Sequence, residues 1–76
     1  MHPQTYKSLA NARDFMRDAY RRPVSLPDIS AQANLSPYHF LRLHKLTFGE
    51  TPHEFLTRLR IERAKALLAR GESQRH

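Results

Sequence analysis

The sequence predicts an all-α fold, a small helical bundle of about four helices. Three observations carry that expectation. Apolar residues recur at helical spacing in separate stretches, and residues that start and stop helices bracket those stretches. Only two glycines and few β-branched residues are present, which argues against a sheet. The chain of 76 residues has no cysteine, so no disulfide or thiolate metal site can reinforce it. A domain this small buries only about 60% of its unfolded surface, and close packing must do the stabilising.

Residues 1–4 read as a flexible lead-in, 5–71 as the domain and 72–76 as a tail. The first helix is expected over 5–20, with Leu9, Ala12, Phe15, Met16 and Ala19 at helical spacing. Lys7, Arg13, Asp14, Arg17 and Asp18 fill the other positions and read as a solvated face, with Asp14 and Arg17 a favourable pair. Pro23 disfavours helical geometry at Arg22 and ends the element. Arg21 and Arg22 then suit either phosphate contact or the helix dipole.

Ser25 and Asp28 form a capping-box-like start for a second helix over 26–33, with Leu26, Ile29 and Ala33 on its inner side. Ser30 lies beside that stripe and is small enough for another helix to approach. Two turns are too short to be stable alone, so neighbours must hold this helix. Ser36 as N-cap, Pro37 at the first helical position and Gly49 at the end define a third helix over 37–47. Its inner face is Phe40, Leu43, His44 and Thr47, whereas Tyr38, Leu41, Arg42 and Lys45 point elsewhere. Thr51, Pro52 and Glu54 give N-cap, proline and capping-box partner for a last helix over 52–70, which Gly71 is expected to stop. Phe55, Leu56, Leu59, Ala66 and Leu67 share one face of it, and Ile61, Ala64 and Leu68 lie on another. A helix apolar on two sides usually packs against two things.

The tight turn between the second and third helices has the spacing of a helix-turn-helix, which is also the spacing of an ordinary αα-corner. Charge favours the first reading. Thirteen Lys and Arg against seven Asp and Glu give +6, with a pI near 10.5, a balance suited to a polyanionic partner. No acidic residue lies between Asp28 and Glu50, so the outward face of the third helix is expected to have nothing to neutralise it. In a helix-turn-helix the second helix enters the major groove and the first crosses the backbone.

Arg42 is the first candidate for base readout, because a guanidinium matches guanine O6 and N7; its alternative is a solvated arginine paired with Glu54. Tyr38 and His39 occupy the N-terminal end of the helix, the end that reaches bases, although Tyr38 could equally cover the core. Leu41 could meet a thymine methyl or pack on the second helix. Ser36 and Lys45 are candidate phosphate contacts. Arg58, Arg60, Arg63 and Lys65 form a basic run that includes Glu62 and most simply is solvated.

No metal site, cofactor or enzymatic activity is expected. His39 and His44 diverge by about 140° around their helix, and no nucleophile–base pair, paired carboxylates or Gly-rich phosphate loop stands out. His44 on an inward face is a pH-sensitive weak point, because charging it in the core is unfavourable. No apolar run approaches the roughly 20 residues that span a bilayer, and no signal-peptide core follows Met1. The expectation is a cytoplasmic protein without a membrane partner.

From about Leu9 to Gly71 the sequence resembles the first half of an AraC/XylS-type DNA-binding domain. The resemblance rests on SLPDISAQANLSPYHFLRLHK and TFGETPHEFLTRLRIERAKALL, above all FG-x-TP-x-x-F-L-x-x-x-R-I-x-x-A. It implies sequence-specific binding of double-stranded DNA in transcription regulation, by two helix-turn-helix units joined by a linker helix. Leu26–Ala33 would be the positioning helix and Pro37–Thr47 the first recognition helix, with base contacts at Tyr38, Leu41 and Arg42. Thr51–Arg70 would be the linker. Its second stripe of Ile61, Ala64 and Leu68 would face a second unit. Ser30 stands where the family usually has Ala, and His44 where it usually has a core Phe. A second unit is not found within these residues, so a fragment of a two-unit domain is expected. The competing reading is a protein-interaction or dimerisation module that uses the Ile61, Ala64 and Leu68 stripe for another copy of the chain or another partner.

Overall fold

In the computed structural model, which describes residues 3–74, the chain forms four helices: α1 (Pro3–Ala19), α2 (Leu26–Ala31), α3 (Pro37–Phe48) and α4 (Pro52–Gln74). Helix α1 begins within the expected lead-in, at Pro3, where proline is suited to a first turn. Met1, His2, Arg75 and His76 lie outside the described residues.

The caps work as the residue types dictate. Ser25 Oγ accepts the Asp28 N–H at 3.2 Å, and Ser36 Oγ accepts the His39 N–H at 3.2 Å. Thr51 and Glu54 form the full reciprocal box: Glu54 Oε1 accepts the Thr51 N–H at 2.9 Å, and Thr51 Oγ1 accepts the Glu54 N–H at 3.1 Å. Gly49 closes α3 in the left-handed conformation, φ 76°, with its N–H bonded to the Lys45 carbonyl at 2.9 Å.

Helix α2 stops at Ala31, two residues before the expected Ala33, because its last turn tightens. Gln32 and Ala33 N–H groups bond three residues back, to Ile29 and Ser30 carbonyls. Asn34 then takes a left-handed φ of 54°, and the Asn34→Ala31 and Leu35→Ser30 bonds close the end as a Schellman motif. The small residue at position 30 is buried, and its hydroxyl donates to the Pro27 carbonyl at 3.2 Å.

One core serves all four helices. Leu9, Ala12 and Met16 of α1 meet Ile29 of α2, Ala33, Phe40 of α3, and Phe55 and Leu56 of α4. His44 is fully buried beside them, with Phe48, Phe40 and Phe55 ring centroids at 4.9, 5.5 and 6.2 Å. Its Nδ1 lies 2.7 Å from the Glu50 carbonyl, which can only accept, so Nδ1 carries the proton. The neutral ring therefore leaves Nε2 bare, and that atom is buried without a hydrogen-bond partner.

Three expectations are corrected. Arg13 is not on a solvated face: its side chain is 14% exposed, and its guanidinium carbon lies 4.1 Å from the ring centroids of both Phe48 and Phe55. Glu50 supplies a countercharge at 3.5 Å, and an arginine can bury its stem and stack its planar head where a lysine would not. Gly71 does not stop α4, which runs on to Gln74, because Gly71, unlike Gly49, lacks the positive φ of a closing residue. Glycine inside a helix costs about 1 kcal/mol relative to alanine, too little to end it unaided. At roughly 34 Å, α4 outruns the core in a molecule of 53 × 20 × 16 Å. Ala66 and Leu67, expected on its inner face, are exposed; Leu67 borders an open concavity with Tyr20 and Arg21, just past the end of α1. Arg60 does reach back: its Nε donates to the Tyr20 carbonyl at 2.9 Å and its Nη2 to that of Arg22 at 3.4 Å, tying α4 to the end of α1.

Two predictions follow from this packing. An alanine Cβ at position 49 would meet nothing within 4 Å, so Gly49→Ala is strained in the backbone alone and lowers stability by about 1–2 kcal/mol in urea unfolding. Gly49→Asn loses less. His44 has a pKa lowered from its ordinary 6.5, first by burial, with neighbouring Arg13 adding to the effect and the bond to Glu50 opposing it. The unfolded chain thus binds a proton at this site before the folded one does. Stability is full above that ordinary value and falls on acidification below it, and Glu50 and Glu54, both with lowered pKa, add losses of the same sign in the carboxylate range. The urea midpoint should fall from about pH 7.5 to about pH 5, and His44→Phe should flatten that fall. An equally steep fall in the variant would remove His44 as its source.

Candidate nucleic-acid interface

The outward face of α3 is built by the cap at its start and the buried pair Phe40 and His44 on its other side. Tyr38 is 63% exposed, and His39, Arg42 and Lys45 are also exposed. Arg42 Nη1 donates to the Tyr38 hydroxyl at 3.3 Å, and its guanidinium carbon is 5.7 Å from the Tyr38 ring centroid. The tyrosine therefore holds the arginine over the surface one turn into the helix. Tyr38 does not cover the core, and Arg42 pairs with Tyr38 and not with Glu54.

His39 turns its Nδ1 to within 2.8 Å of Ser36 Oγ, and its ring meets that of Tyr38 edge-on at 6.0 Å. Ser36 is thus committed twice, to the cap and to the His39 ring. Leu41 is 37% exposed and borders a shallow concavity together with Leu26 and Ile29 of α2.

The outward face is not wholly without counter-charge. Glu54 comes from the first turn of α4 to within 3.7 Å of Lys45 Nζ, which also donates to the Gly49 carbonyl at 3.3 Å. The Thr51 N–H and hydroxyl, with Lys45, hold the Glu54 carboxyl below its ordinary range and keep it charged. Sequence distance hid this contact, since the capping box that fixes Glu54 belongs to the next helix. Leu46, 74% exposed, also lies on this face; its spacing of one turn from Arg42 places it there, a position the charge pattern of the helix does not mark.

Behind the face, Glu50 joins three elements. Its carboxylate lies 2.7 Å from Arg58 Nη2 and 3.5 Å from Arg13 Nη2, while its carbonyl receives His44. Hydrogen bonding to Arg58, more than any other influence, lowers the Glu50 pKa. Arg58 also approaches Glu62 at 3.7 Å. Two members of the basic run, Arg58 and Arg60, are therefore engaged inside the molecule. The second stripe of α4 is open: Ile61 is 50% exposed, Leu68 67%, and Ala64 is exposed between them. Among the described residues, no group of three or more His, Asp or Glu converges where a metal could sit, and no helix is long and apolar enough to cross a membrane.

The helix-turn-helix domain family matches residues 29–75, most of the chain, including all of α3. The chain belongs to this AraC-type helix-turn-helix family. It is similar to YbfI, an uncharacterised helix-turn-helix-type transcriptional regulator of Bacillus subtilis (strain 168), with 36% identity over 58 residues, 76% of this chain and 21% of that protein. The lactose operon transcription activator of Staphylococcus xylosus is 29% identical over 62 residues, 82% of this chain and 22% of that protein. The bifunctional transcriptional activator/DNA repair enzyme Ada of Escherichia coli (strain K12) is 41% identical over 51 residues, 67% of this chain and 14% of that protein. The chain thus spans about a fifth or less of the length of these relatives. No solved structure gives a significant match.

Proposed function

We propose that this domain binds double-stranded DNA sequence-specifically in transcription regulation, with α3 in the major groove. The observation that carries the reading is the exposed Tyr38–Arg42 pair, oriented at 3.3 Å on the outward face of the second helix of a helix-turn-helix. A guanidinium held this way is prepared to donate to guanine O6 and N7. Tyr38, His39 and Leu41 would contact base edges beside it. Lys45, and Ser36 if a phosphate displaces the His39 ring, would set the register. The relatives named as a transcriptional regulator and as operon or transcription activators support the same role. The role is one of binding and not of catalysis, in the cytoplasm with the DNA. A single unit neutralises few phosphates, so its own affinity is low and a second unit would raise it.

A salt titration on a random-sequence duplex and on a duplex enriched from a random pool tests this. Lys45→Ala should lower the slope of log K against log salt by roughly 0.9 on both duplexes. Arg42→Ala should cost about 1–3 kcal/mol on the enriched duplex alone. Binding without any salt slope, together with an Arg42→Ala variant indistinguishable from the parent, would reject DNA recognition through α3.

A second reading is favoured by the open Ile61, Ala64 and Leu68 stripe, which suits a second helix-turn-helix unit or another copy of the chain. It is compatible with DNA binding, since a dimer would present two recognition helices. Sedimentation of the parent should show a concentration-dependent dimer that Ile61→Asp abolishes. A parent that stays monomeric at every concentration tested rules out self-association through this stripe.

A further inference from the structure

Leu46 is the most exposed large apolar side chain of the described residues, at 74%, and it does not stand alone. With Leu41, Arg42, Lys45 and Thr51 it lines one shallow concavity on the outward side of α3. It follows Arg42 by four residues, so it continues the same face one turn further along. From Tyr38 to Leu46 the helix advances about 12 Å, between three and four base-pair rises of about 3.4 Å. A helix lying along the groove with Arg42 over one base pair therefore has Leu46 within about two base pairs of it.

The chemistry of the occupant is narrow. The cations Arg42 and Lys45 flank the apolar surface and favour a polyanion over an apolar protein segment. Phosphates and sugars offer a leucine nothing that compensates for their desolvation. In the major groove the apolar group on a normal base edge is the C5-methyl of thymine. Leu41 borders a second concavity beside α2 and is 37% exposed, half the exposure of Leu46. We infer that Leu46 is a specificity-determining residue that reads a thymine methyl within about two base pairs of the position read by Arg42. This rests on α3 lying in the major groove, as proposed above.

Replacing thymine by deoxyuridine removes that methyl and leaves base pairing intact, which makes the test direct. Duplexes enriched from a random pool at low salt are resynthesised with each thymine singly changed to deoxyuridine. The base pair read by Arg42 is located in parallel with Arg42→Ala. One deoxyuridine, close to that base pair, should weaken binding about 4-fold, the equivalent of one buried methyl. Leu46→Ala should bind the thymine and deoxyuridine duplexes equally, with an unchanged helical circular dichroism spectrum because the side chain is exposed. The inference is overturned if no deoxyuridine weakens binding, which would leave Leu46 to some other contact. It is equally overturned if the effect survives in Leu46→Ala, which would assign the methyl to Leu41. If no duplex is enriched at all, DNA reading through α3 fails first, and the role of Leu46 falls with it.

Discussion

The arrangement depends on the short turn from Gly49 to Thr51 and on what that turn gives to the core. His44 is fully buried, and only the Glu50 carbonyl satisfies it. That bond can form because Gly49 reverses the chain in the left-handed conformation and brings position 50 back over the last turn of α3. The same residue then holds Arg13 of α1 and Arg58 of α4 through its carboxylate. One turn thereby fixes how three helices meet. In a domain with so few fully buried side chains, such a junction carries a large share of the packing.

The outward face of α3 inherits its rigidity from this junction. Phe40 and His44 anchor the helix from behind, and the Ser36 cap and Gly49 closure fix its two ends. What remains in front is a short run of side chains held by local contacts: Ser36 with His39, Tyr38 with Arg42, and Lys45 with Glu54. Each contact is exposed and weak enough to be exchanged for a nucleic-acid partner. Lys45 gives up the most, because a phosphate would compete with a carboxylate held in its charged form by the Thr51 cap. Arg42 gives up only a neutral hydroxyl.

Helix α4 behaves as two segments. Its first turns carry Phe55 and Leu56 into the shared core, and Arg60 ties it to the end of α1. Beyond that point every residue from Ala64 to Arg70 is exposed, although the apolar spacing continues. Leu67 borders Tyr20 and Arg21 just past the end of α1, whereas Ala64 and Leu68 lie open on another side. The proposed second unit or second copy would cover that open side.

Much of the fold was legible because it is written in short-range chemistry. Ser25, Ser36, Thr51 with Glu54, and Gly49 act within one helical turn of themselves, so residue type and spacing alone determined where α2, α3 and α4 begin and where α3 ends. Periodicity likewise determined that Phe40 and His44 face inward while Tyr38 and Arg42 face out. Tertiary structure decided what depends on distant neighbours. It buried Arg13 between two phenylalanines, brought Glu54 to Lys45, and left Ala66 and Leu67 exposed. A helical wheel fixes the direction in which a side chain points. Only the packed molecule fixes what it meets there, because burial and pairing are set by groups far away in sequence.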